Sequence, residues 1–138
     1  MAQSLRVRVV NVTRGTVLAE EAQIASSFFA RGWGLLGCRG LHPGEGLILR
    51  PCNAIHTFFM RFSIDVVFAD RQGRVKAVFC GVKPFRAVLP VPGARWALEL
   101  PAGAVASSGT RRGDVLREEE KGHPSDSGEL SERLFLSD

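Results

Sequence analysis

From Phe58 to Phe68 every even position is apolar (Phe58, Met60, Phe62, Ile64, Val66 and Phe68), whereas the odd positions around them hold Thr57, Arg61, Ser63 and Asp65. Alternate side chains of a strand point to opposite faces, so the stretch His56 to Asp70 reads as the inner face of a core β segment with a polar set on its other side. The alternation recurs in residues 5–12, with Leu5, Val7 and Val9 set against Arg6 and Arg8. It recurs again in residues 94–100, which put Trp96, Leu98 and Leu100 inward and Arg95 and Glu99 outward. Residues 17–24 form a weaker strand, LILR at 47–50 a short one, and DRQG at 70–73 a hairpin turn joining strands 64–69 and 74–82. Ser26 or Ser27 caps a main helix over FFARGWGLLG, kept short by its glycines, and AGAVASS makes one helical turn before a last strand near Val115. About seven short strands with turns at regular spacing predict a mainly β fold, a compact sandwich or barrel with one main helix and a short helical turn packed on it. Its core should contain Met60, Ile64, Val66, Trp96 and Leu98 on facing strand surfaces.

A chain of 138 residues that is 45% hydrophobic fills one domain with a genuine core and falls short of two. Charge divides it unevenly. Residues 1–116 hold 15 Lys or Arg against 7 Asp or Glu, a net +8, and residues 117–138 hold 3 against 7, a net −4. The expected organisation is therefore a mainly β domain over 1–116 and an acidic, disordered tail over 117–138, too poor in apolar groups to offset the entropy of ordering it. Arg6 and Arg8 interrupt what would have to be the apolar part of a signal peptide, and no segment approaches a membrane-spanning run. A cytoplasmic monomer with Cys38, Cys52 and Cys80 reduced is expected.

Four separated motifs carry a family resemblance: NVTRGTVLAEEAQIA, GWGLLGCRGL, HTFFMRFSIDVVFADRQGRV and ALELPAGAVASSGTRRGDVL. In that order, over about residues 11–116, they resemble the small bacterial and archaeal family called domain of unknown function 192, with the Met60 and Asp65 pair and the Leu98, Glu99, Gly103, Gly113 and Asp114 series in place. The resemblance implies a compact, mainly β domain with a helix packed on it and no established activity. The chain departs from the family pattern at Leu36, Phe59, Arg61, Phe62 and Ser63.

His56, Arg61, Asp65, Glu99 and Asp114 are the polar residues set within the most regular motifs. An Arg with carboxylates and a His is a set able to orient a small polar ligand in a cleft beside HTFFMRFSID, Arg61 supplying the charged contact and Asp65 and Glu99 fixing orientation. The competing reading is structural: Arg61 pairs with Asp65 or Glu99, Asp114 caps the RRGD turn, and His56 meets a backbone carbonyl. In a straight strand Arg61 and Asp65 stand about 13 Å apart, so only a bend at Phe62 or Ser63 would join them.

Other chemistries lack a signature. Cys38, His42, Cys52, His56 and Cys80 are zinc-type ligands with no CxxC spacing, which argues against a metal site. No nucleophile sits in an elbow or beside an oxyanion motif. The arginines Arg6, Arg8, Arg71, Arg74, Arg111 and Arg112 favour anions, yet the absence of tyrosine and the buried character of the phenylalanines leave no stacking platform, so specific nucleic-acid reading is not expected. The function expected is a non-catalytic module for a small anionic or polyhydroxylated ligand, without cofactor, metal or membrane partner; the alternative is a small hydrolase using His56 and Asp65.

Overall fold

The computed structural model describes residues 6–25, 41–58 and 60–120. The fold is mainly β. Its main sheet is built from β1 (Arg6–Asn11), β2 (Thr16–Ala25), β3 (Glu45–Leu49), β5 (Ile64–Ala69), β6 (Val75–Val82), β8 (Trp96–Pro101) and β9 (Leu116–Glu120), in the order β6-β5-β8-β3-β2-β1-β9. A two-stranded ribbon pairs β4 (Ile55–His56) with β7 (Ala87–Val88), and one helix, α1 (Ala104–Ser108), follows β8. Neighbouring strands are antiparallel except β2 and β3, which run parallel and so need the longer connection between them. The expected main helix over residues 26–37 falls in that connection, outside the described residues.

The sheet curls until its two edges touch. Arg74 and Val115 form an isolated bridge, Val75 N–H donates to the Asp114 carbonyl (2.8 Å), and Leu116 N–H donates to the Gly73 carbonyl (2.8 Å). Gly73 is required at this seam: its φ is 86°, and a Cβ there would stand 2.3 Å from the Leu116 carbonyl oxygen. The result is a half-barrel.

Both faces of the sheet are buried, which alternation alone did not anticipate. The concave face gathers Val7, Val9, Leu18, Ile48, Val67, Val75, Trp96, Leu98, Leu100 and Leu116, with Val105 of α1. The convex face carries a second core of Leu47, Leu49, Met60, Ile64, Val66, Phe68, Val91, Ala94 and Ala97, covered by the ribbon and its flanking loops. All five residues expected in the core are buried. They are nevertheless divided: Ile64 and Val66 pack on the convex side and Trp96 and Leu98 on the concave side, because the register sets Val67, not Val66, opposite Leu98.

Two further expectations change. Strand β5 starts only at Ile64, so the apolar positions before it belong to a loop, in which Met60 is buried and Phe58 is exposed. Strand β9 runs to Glu120 and pairs with β1, so residues 117–120 belong to the sheet rather than to an acidic tail. Glu119 and Glu118 there lie against cations, Arg8 with Glu119 (3.7 Å) and Arg50 with Glu118. Residues 121–138 are outside the described residues. Among the described residues no helix is long and apolar enough to cross a membrane.

Candidate functional site

The five polar residues singled out by the sequence do not converge. Asp65 is 1% exposed on the concave face, at the foot of α1. Its Oδ2 accepts the backbone N–H groups of Gly103 (3.0 Å) and Val105 (2.9 Å), and its Oδ1 accepts that of Gly81 (2.8 Å). One carboxylate thus fastens β5 to β6 and to the start of α1, satisfying amides that a helix this short cannot pair internally. The expected role of Asp65 on a polar, displayed side is corrected by this burial. Asp114 is similarly enclosed. Arg14 grips both its oxygens (3.0 and 3.2 Å), Asn11 Nδ2 donates to it (3.0 Å), and the Arg111 N–H closes the RRGD turn on it (3.0 Å). The Arg14 guanidinium holds the carboxyl down at about 2, Asn11 and Arg111 acting in the same direction and burial against them.

Glu99 lies one residue out of step with Asp65. Asp65 is paired with Leu100 and Glu99 with Val66, so the two carboxyls project from opposite faces of the sheet. Glu99 is 5% exposed within the convex core and makes no hydrogen bond or ion pair among the described residues; burial alone pushes its carboxyl up to about 7. Arg61 is exposed and has no acidic partner among the described residues, so the expected Arg61 pairing with Asp65 or Glu99 does not form. His56 is exposed on β4, its Nδ1 accepting the Phe58 N–H (3.3 Å) and its ring 5.1 Å from that of Phe58. It does not bond Asp65, whose two oxygens already accept backbone amides.

A different set of residues converges. At the rim where the sheet closes, a groove of about 440 Å³ is lined by Arg50, Arg71, Gln72, Arg95, Arg117 and Glu118, over a floor of Pro51, Gly73, Trp96 and Leu116. Each arginine arrives from a separate strand end. Arg50 follows β3, Arg71 sits in the β5–β6 hairpin, Arg95 precedes β8, and Arg117 is the second residue of β9. Arg50 lies over the Trp96 ring, 5.7 Å from its centroid, and pairs with Glu118. Trp96 is itself held by its Nε1–H, which donates to the Asp70 carbonyl (2.9 Å). Arg117 pairs with Glu119 (3.2 Å), while Arg71 and Arg95 have no side-chain partner among the described residues. The Nε of Arg50 is buried without an acceptor.

Four arginines and one acidic residue, Glu118, line a cation-rich recess, and the planar donors of a guanidinium suit a carboxylate or phosphate. None of the five sequence-derived candidates lines it. The sequence marks Arg71 only as one exposed cation among several and Arg95 only as an outward strand position; the four arginines lie 21 to 67 positions apart along the chain and share no local pattern. Among the thiols, Cys52 is half-buried with its Sγ on the Ala54 carbonyl (3.1 Å), Cys80 is exposed, and Cys38 is outside the described residues.

The family described as Uncharacterized ACR, domain of unknown function 192, matches residues 9–118, and the chain belongs to that family. The UPF0127 protein PH1112 of Pyrococcus horikoshii is 34% identical to it over 115 residues, covering 79% of this chain and 96% of that protein. A UPF0127 protein of Thermococcus sibiricus is 32% identical over 112 residues, covering 78% and 72%. The fold is shared with a crystal structure of a protein of unknown function from Novosphingobium aromaticivorans, at 21% identity and a TM-score of 0.71, over 83% of this chain and 85% of the other.

Proposed function

We propose that this protein is a non-catalytic binding module for a small anionic ligand, and that the ligand sits in the arginine groove at the closed rim of the half-barrel. One observation carries the reading: Arg71 and Arg95 line the groove with no side-chain partner among the described residues, beside Arg50, which has a single acidic partner in Glu118. Guanidiniums without an anionic partner carry surplus charge and open planar donors, and an anion with two or more oxygens meets both. Gln72 adds an amide able to meet a hydroxyl, so acids that also carry hydroxyl groups fit the same recess. The groove holds one carboxylate, Glu118, engaged by Arg50, and no Ser, Thr, Cys, His, Tyr or Lys among its lining residues, a set that favours binding over catalysis.

The test is calorimetric titration of the full chain with inorganic phosphate and with citrate, in parallel with the Arg71→Gln/Arg95→Gln double variant. Saturable binding by the parent, weakened about tenfold or more in the variant, is expected for two charge-assisted contacts. No heat with either anion, or equal affinity in both proteins, overturns the proposal.

A further inference from the structure

A second surface is independent of the groove. The ribbon of β4 and β7, with the loops that flank it, presents Leu89, Phe85 and Phe58 at 80%, 59% and 41% exposure. Residues 52–63 and 83–94, which build this layer, contain no Asp or Glu, and they display Arg61, Lys83 and Arg86 at the surface.

The layer is held firmly. Thr57 is fully buried; its hydroxyl donates to the Lys83 carbonyl (2.6 Å) and accepts the Arg86 N–H (2.9 Å). Its own N–H donates to the Arg86 carbonyl (2.8 Å), and its carbonyl accepts the Phe85 N–H (2.9 Å). Two residues, Phe85 and Arg86, thus stand opposite one, which is a β-bulge. Phe85 occupies it at φ 63°, the left-handed region where glycine is normal and an aromatic side chain is strained. An apolar side chain that is 59% exposed and held in an unfavourable backbone conformation costs both strain and solubility.

We propose that this ribbon docks the protein onto an anionic lipid surface, with Phe58, Phe85 and Leu89 entering the headgroup boundary and Arg61, Lys83 and Arg86 meeting the negative charge. Charge complementarity selects the occupant: the layer has cations and no acidic residue to repel an anionic bilayer. Shape selects lipid over protein. Leu89 and Phe85 protrude instead of lining a recess, which suits insertion between lipids, whereas protein interfaces pack their apolar groups into complementary pockets. Such attachment is peripheral and needs no spanning segment.

The experiment is co-sedimentation of the full chain with vesicles of phosphatidylcholine alone or mixed with phosphatidylglycerol, at low and high salt. Binding confined to the mixed vesicles and reduced by salt is expected. Phe85→Ser/Leu89→Ser should lower the partition coefficient about tenfold or more, since both apolar anchors are lost, and Lys83→Gln/Arg86→Gln should lower it several-fold. Phe85→Gly fills the bulge with its preferred residue, so it should keep the parent's cooperative melting transition while binding vesicles less. Failure of the parent to sediment with mixed vesicles overturns the proposal, as does sedimentation unaffected by the ribbon variants. Self-association abolished by those variants, without vesicle binding, would assign the surface to a second copy of the chain instead.

Discussion

Asp65 and Glu99 sit on neighbouring strands, one residue out of register, on opposite faces of one sheet. Both are nearly inaccessible, yet their surroundings are opposite. On the concave side Asp65 accepts three backbone N–H groups; on the convex side Glu99 has no hydrogen bond or ion pair among the described residues, and burial raises its carboxyl to about 7. Burial by itself therefore says little about what an acidic residue does. The donors supplied by the surrounding backbone decide whether it fastens the structure or strains it.

The strongest way to break this contrast is Asp65→Ala. It strips the acceptor from the N–H groups of Gly81, Gly103 and Val105 together, and should cost about 3 to 5 kcal/mol in chemical unfolding. A loss below about 1 kcal/mol would show that α1 does not depend on the carboxylate.

Glu99→Gln should do the reverse. Because the folded carboxyl titrates near 7 against an ordinary value of 4.5, the folded state holds the proton more tightly than the unfolded chain. The associated stability is complete below about 4.5 and is lost as pH rises through about 7, on the order of 3 kcal/mol in full. Glutamine carries no such dependence, so the variant should be flat across that window and more stable than the parent at pH 8. Parallel pH profiles of the two proteins would remove Glu99 from the comparison.

The smallest effect is expected at Arg61, which is exposed and without an acidic partner among the described residues. Arg61→Ala should shift stability by less than about 1 kcal/mol, measured as a denaturant midpoint. A larger loss would mean that the loop before β5 is anchored through this side chain.

The strands were legible where one face is apolar and the turn is distinctive. β1 follows its alternation, β8 forms where its apolar positions placed it, and the Asp70–Gly73 hairpin closes as DRQG suggested, with Asp70 Oδ1 accepting the N–H groups of Gln72 (3.0 Å) and Arg74 (2.9 Å). What alternation could not supply was the second cover. Period-two patterning assumes one buried face, whereas β5 is buried on both, so Asp65 read as displayed when it is enclosed. The segment REEE looked like a solvated acidic run because, apart from the local Arg117 and Glu119 pair, its charges meet Arg8 and Arg50 from distant parts of the chain. The groove was illegible for the same reason: Arg50, Arg71, Arg95 and Arg117 meet only once the sheet has curled.

The seam at Gly73 ties the recess to the integrity of the cylinder. Gly73 and Leu116 are at once the residues whose backbones join its two edges and part of the groove floor, so the recess exists only while the edges remain joined. An occupant of the groove consequently acts as a clasp on a hoop: it must slow amide hydrogen exchange at Leu116 and Val75, whose N–H groups bridge the join, and leave exchange in the β1–β2 pairing, one strand in from the join, set by global unfolding alone.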